Sequence, residues 1–156
     1  MIRLAGESKR ITPHDGFWFF GYYDIPAFDF EGRRHLCLRT KFMDRLQEKD
    51  DVAELYVIDL TTQQRVKFAE TTAWNFQQAC MLQWHPTKRD TVIYNVRTEG
   101  VGCGYGAVIQ NLKDGSKLRL DRPVANVDKI GRHAVSINFD RLFDFRPGYG
   151  YAGQTD

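Results

Sequence analysis

Tyr22, Tyr23 and Asp24 lie together in one polar-aromatic stretch, and Trp74, Asn75, Gln77 and Gln78 lie in a second. Amide side chains donate and accept hydrogen bonds at once, which suits the hydroxyls of a sugar. Tyrosine and tryptophan add flat apolar faces with a polar edge. A third stretch holds Asn138, Arg141, Arg146 and Tyr149, and Arg45 stands in a charged segment. A guanidinium pairs through two N–H groups with a carboxylate or phosphate. These types together suit an anionic or polyhydroxylated ligand. Asp24 is then the candidate acid or base, Arg45 or Arg141 the carboxylate anchor, and the other residues the binding contacts. Each also has a plainer use: tryptophan fills cores, amides cap backbone, and an arginine beside acids is a solvated loop charge.

A degenerate repeat frames these stretches. Gly21-Tyr22-Tyr23-Asp24 leads into Phe28-Asp29-Phe30-Glu31-Gly32-Arg33, and Trp74-Asn75-Phe76-Gln77-Gln78 leads into Trp84-His85-Pro86-Thr87-Lys88. A third unit begins at Asn126-Val127-Asp128-Lys129-Ile130-Gly131-Arg132. The period is about 50 residues, in the range of propeller blades. Phe28 aligns with Trp84 and Val127, and Leu60 with Leu112. Strand signals follow each entry: Arg34 to Arg39, Glu54 to Leu60 and Arg65 to Phe68, then Thr91 to Val96, Ala107 to Leu112 and Lys117 to Leu120. These runs are β-branched or aromatic and bounded by turn residues. Ala134 to Asn138 starts the pattern again, and no segment shows a long helical period.

The expected fold is all-β: a β-propeller of four-stranded antiparallel blades, incomplete at about two and a half blades. Blade 1 spans about 17–70, blade 2 about 74–121, and the start of blade 3 about 123–156, in a single partial domain. Ser8 to Thr12 is a candidate outer strand for a closing blade. The charged insertion Lys41 to Asp51 belongs in a loop on one face. Blade topology sorts loops by face. It puts Tyr22, Tyr23, Asp24, Trp74, Asn75, Gln77, Gln78, the Arg45 loop, Glu99 to Gly104 and Asn138 to Tyr151 on the same one. A small open β-sandwich of about ten strands, with a coincidental repeat, is the competing architecture.

Composition narrows the function. The 156 residues, 42% hydrophobic and 13% aromatic, can build an ordinary core and are not those of a disordered chain. The 22 basic and 20 acidic residues nearly cancel and are scattered, which disfavours nucleic acid or an anionic membrane as partner. No apolar run approaches a membrane span, and the first residues lack a signal-peptide core, so a cytoplasmic location is expected. Cys37, Cys80 and Cys103 have no metal-site spacing and read as reduced thiols. The glycine-rich Gly100 to Gly106 opens no helix, so it is not read as a phosphate cradle. No serine sits in a nucleophile elbow. Asp140 and Asp144 straddle Arg141 at a spacing that chance supplies often.

Phe20-Gly21-Tyr22-Tyr23-Asp24, Ala73 to Gln78 with Met81-Leu82-Gln83-Trp84, Tyr94-Asn95 and Arg146 to Tyr151 resemble an uncharacterised bacterial β-propeller family. That family is similar to the TolB-like and oligogalacturonate-lyase-like propellers. The resemblance covers most of the chain from about Phe17 to Gly153 and implies the N-terminal part of a longer ring. In the lyase branch, several histidines and a glutamine hold a metal that assists proton abstraction beside a uronate carboxylate. Here His35, His85 and His133 fall in or after turns, on the face opposite Gln77 and Gln78. No cofactor is therefore identifiable, and a divalent metal would need ligands from other blades.

Three functions follow as expectations. One is part of a carbohydrate-active enzyme, a lyase or hydrolase of an acidic glycan. Another is a non-catalytic propeller that docks a protein or glycan, and the third is an inactive fragment. An open set of blades leaves apolar faces and strand edges exposed. The chain is accordingly expected to form a homo-oligomer or to associate with completing blades.

Overall fold

The computed structural model describes Gly6, residues 8–99 and residues 104–153. The chain is mostly β and builds antiparallel sheets. The first sheet runs β1 (Phe17–Phe19), β2 (Arg34–Thr40), β3 (Ala53–Asp59) and β4 (Arg65–Thr71), paired in chain order. The second repeats that order with β5 (Gln83–Trp84), β6 (Thr91–Arg97), β7 (Tyr105–Asn111) and β8 (Lys117–Leu120). The third is a two-stranded ribbon, β9 (Asn126–Val127) with β10 (Ala134–Val135). A helix, α1 (Phe139–Phe145), follows. Among the described residues no sheet closes on itself, and no helix is long and apolar enough to cross a membrane.

The repeat read from sequence is a repeat of hydrogen bonds. Phe28 bridges His35, Trp84 pairs with Val92, and Val127 pairs with Ala134, so the three aligned residues hold equivalent places. One residue later, a side chain caps the turn each time. Asp29 Oδ1 accepts from the N–H groups of Arg33 and Arg34. Asp128 Oδ1 accepts from those of Arg132 and His133. His85 Nδ1 accepts from those of Thr87 and Lys88. Gly32 and Gly131 take φ of 64° and 69° in the two Asp turns, a region where a side chain is strained. The β3–β4 and β7–β8 turns also match, with Asp59 Oδ1 and Asn111 Oδ1 each accepting from two following N–H groups.

Alternation decides the packing. Leu36 and Leu38 of β2 meet Val92 and Tyr94 of β6, with Leu55, Leu82, Val108 and Trp74 completing the main core. Ile93, one register step from Val92, faces the other way and packs with Ala107, Val124 and Val127. The second sheet is thus sandwiched between the first and third. A third cluster joins Ile25, Ala73, Tyr105, Phe139 and Tyr151, with the Phe139 and Tyr151 rings stacked 4.2 Å apart.

Four sequence expectations need correcting. The first strand of the first sheet is Phe17–Phe19, ahead of Phe28, which forms only a single bridge. Residues 8–12 form no strand; Arg10 instead turns onto the carbonyls of Thr12 and Pro13. Ala134 to Asn138 shortens to two paired residues. The expected loop from Asn138 to Tyr151 contains α1, whose N-cap is Asn138, its side chain accepting from the N–H of Arg141. Phe139, Leu142 and Phe143 carry the spacing of a helical face, too short to stand out as a period.

Candidate functional site

Several of the loops expected on one face are tied together, and much of what they contribute is internal scaffolding. Asn75 is fully buried. Its Nδ2 donates to the carbonyls of Tyr149 and Gly150 at 2.8 and 3.2 Å. Its Oδ1 accepts from the N–H groups of Gln77 and Gln78 at 3.0 and 2.6 Å. Trp74 is fully buried, with its indole N–H on the Asp51 carbonyl at 2.8 Å, so a ligand cannot reach it. Gln47 Nε2 also donates to the Gly150 carbonyl, and Arg97 reaches the carbonyls of Ala152 and Gly153. The loop containing Arg45, the 74–78 segment and the 149–153 segment are thereby tied together.

The arginines are largely committed. Both terminal nitrogens of Arg45 bond Asp51, at 2.6 and 3.0 Å, and its guanidinium lies 3.8 Å over the Phe42 ring. The hydrogen bonds from Arg45 hold the Asp51 carboxyl below the usual carboxylate range. A carboxylate anchor at Arg45 would have to displace that pair. Arg141 lies over Phe145 and Arg146 over Tyr149, at 5.8 and 5.1 Å from the ring centres, and both are exposed. Asn138 is engaged as the helix cap. Gln78 is buried, with Oε1 lacking a hydrogen-bond partner among the described residues.

What remains open is the turn Gly21 to Ile25. It closes with the Ile25 N–H on the Tyr22 carbonyl at 3.1 Å, and the Tyr22 and Tyr23 rings sit 4.9 Å apart. Phe20, Gly21, Tyr22, Tyr23 and Gln77 line a depression of about 280 Å³. Tyr23 is the most exposed large apolar side chain of the described residues, at 84%. Asp24, also exposed, does not line this depression. It lines a cleft of about 920 Å³ together with Phe28, Phe30, Trp84, Lys129 and Val135. The side chain of Asp24 makes no hydrogen bond or ion pair to any described residue.

This cleft is the larger site, and the sequence reading missed it. Its walls are the equivalent strands and turns of all three sheets: 28–30, 83–86 and 126–135. The alignment of Phe28, Trp84 and Val127 was its signal. His85 and His133 both line it, each with its Nδ1 engaged. His85 Nδ1 is occupied by two backbone N–H groups, and burial, then nearby Lys88, lowers its proton affinity. His133 Nδ1 lies 3.4 Å from Asp128 Oδ2. The N–H of His133 and that of Arg132 hold the Asp128 carboxyl below its ordinary value. Burial raises the Asp29 carboxyl, but the Arg34 side chain at 2.7 Å and two backbone N–H groups more than offset it. His35 is elsewhere, packed edge-on against Phe20 and Phe28. Among the described residues no group of three or more His, Cys, Asp or Glu side chains is placed to hold a metal.

Gly100 to Cys103 lies outside the described residues, and so does any role for that loop. Cys37 and Cys80 are buried, and burial pushes both thiols up to about 12. No protein-family profile, curated protein or solved structure matches the chain.

Proposed function

We propose that the three sheets are consecutive blades of a β-propeller and that the chain binds a saccharide at the Tyr22–Asp24 turn without turning it over. The carrying observation is the placement of that turn. Tyr22, Tyr23 and Gln77 line one depression, and Asp24, next in the chain, lines a cleft whose walls include Phe28, Phe30 and Trp84. Aromatic faces beside amide and carboxylate groups suit a ring with apolar C–H faces and equatorial hydroxyls. The blade reading rests on the repeated strand order of the first two sheets and on the turn caps at Asp29, His85 and Asp128.

Binding is favoured over catalysis by what surrounds Asp24. Acid–base chemistry on a glycosidic bond calls for a second carboxyl at a defined distance. The other carboxylates of the cleft, Asp29 and Asp128, are spent on capping turns. Arg45 is held by Asp51 and does not line the cleft; Lys129 does, and can meet an acidic sugar there.

Saturation-transfer NMR with neutral and uronate-containing oligosaccharides tests the proposal. Transfer to sugar protons is expected, and Tyr23→Ala or Gln77→Ala should weaken binding about tenfold, the loss of roughly 1.4 kcal/mol. No transfer from any oligosaccharide, or binding untouched by both substitutions, would overturn it.

A further inference from the structure

The internal repeat supplies its own standard for what each sheet face should touch. Leu36, Ile93 and Val135 are equivalent: each stands one residue beyond the bridge formed by Phe28, Trp84 or Val127. Leu36 is covered by the second sheet, in one cluster with Val92 and Trp84. Ile93 is covered by the third, in one cluster with Val124 and Val127. Their exposures are 0% and 2%. Val135, the third member, is 62% exposed, and Ile137, equivalent to Leu38, is 39% exposed against 0%.

The complementary face is also open. Trp84 and Val127 are the residues that pack back onto the preceding sheet. Among the described residues no sheet precedes their counterpart Phe28, which is 51% exposed and rests on the edge of His35 at 4.9 Å. The third sheet therefore shows an uncovered forward face and the first an uncovered backward face, and both border the same cleft. Both repeat, position for position, surfaces that join inside the chain.

We propose that these faces join head to tail between two copies of this chain, Val135 and Ile137 of one copy packing on Phe28 and His35 of the next. The contact repeats the packing of the first sheet on the second and of the second on the third, around Leu36 and Ile93. It rests on reading the sheets as consecutive propeller units. Because the two faces differ, the contact is heterologous, and copies can add until a ring closes. The added copy also walls the cleft, since Phe28 and Val135 both line it.

The test uses the full chain in size-exclusion chromatography with multi-angle light scattering. The wild type should exceed single-chain mass, increasingly so with concentration. Val135→Asp and Phe28→Asp should each be single chains, with unchanged circular dichroism because both side chains are exposed. Mixed in equal amounts, they should form a dimer and nothing larger, since each retains the face the other has lost. Ile137→Asp, in place of Val135→Asp, should give the same capped dimer. A wild type of single-chain mass, either variant assembling like the wild type, or a mixture that stays monomeric would overturn the proposal. Tyr23→Ala should leave assembly unchanged, so failure of the sugar-binding reading is scored separately.

Discussion

Asn75 is the side chain on which the candidate site most depends for its shape. Replacing it with alanine removes four hydrogen bonds in one step. The Gly150 carbonyl keeps Gln47 as a donor. The Tyr149 carbonyl and the N–H groups of Gln77 and Gln78 lose their side-chain partner. A buried polar group stripped of its partner costs about 1–3 kcal/mol. Three such groups at the lower end, since the Tyr149 and Gln77 positions are only half-buried, give about 3 kcal/mol. For a chain of this size that is a fall of about 6–12 °C in Tm. Thermal unfolding followed by circular dichroism measures it. Hydrogen exchange supplies the local readout: the Gln78 amide should lose protection while amides of β6 and β7 keep theirs up to the new global stability. Asn75→Asp should also destabilise, because it keeps the acceptor but sets a carboxylate against two carbonyls. A loss below about 1 kcal/mol for Asn75→Ala would refute the reasoning. It would mean that water or relaxed backbone replaces this side chain as the tie between the 74–78 and 149–153 segments.

Two further predictions concern titration and thiol reactivity. His85 caps its turn only as neutral imidazole, and burial, then Lys88, holds its folded pKa below the unfolded value. The stability it contributes is full above the unfolded value of about 6.5 and declines as pH falls below it, until the folded pKa is passed. His85→Asn keeps an acceptor that does not titrate, and the difference between pH 7 and pH 5.5 in urea-unfolding stability should shrink; an unchanged difference would exclude His85 as its source. Cys37 and Cys80, with thiols pushed up to about 12, should stay unmodified by iodoacetamide at pH 8 in the native protein and react in urea, as peptide mapping would show. Native labelling of either would mean that its sheet opens locally.

The sequence alone determined six of the longer strands and the turns between them, but not the first strand, Phe17–Phe19. Lys117–Leu120 was read with its observed bounds, and β2, β3, β4, β6 and β7 within a few residues. Alternation and turn chemistry are local and survive in any tertiary setting. The alignment of Phe28, Trp84 and Val127 was legible because a repeated hydrogen-bond pattern constrains the same positions each time. Only the tertiary structure decided what each polar side chain does. Asn75 and Gln77 stand two residues apart with similar amide chemistry. One is sealed beneath the 149–153 segment, and the other lines an open depression. Arg45 reads from sequence as a carboxylate anchor or a solvated loop charge, and the fold sets Asp51 within 2.6 Å of it. Helix α1 escaped because seven residues give less than two full periods, and its stability comes from Phe139 stacking on Tyr151, a contact that exists only once the chain has folded back. Exposure and partnership are properties of long-range contacts, and spacing along the chain does not encode them directly.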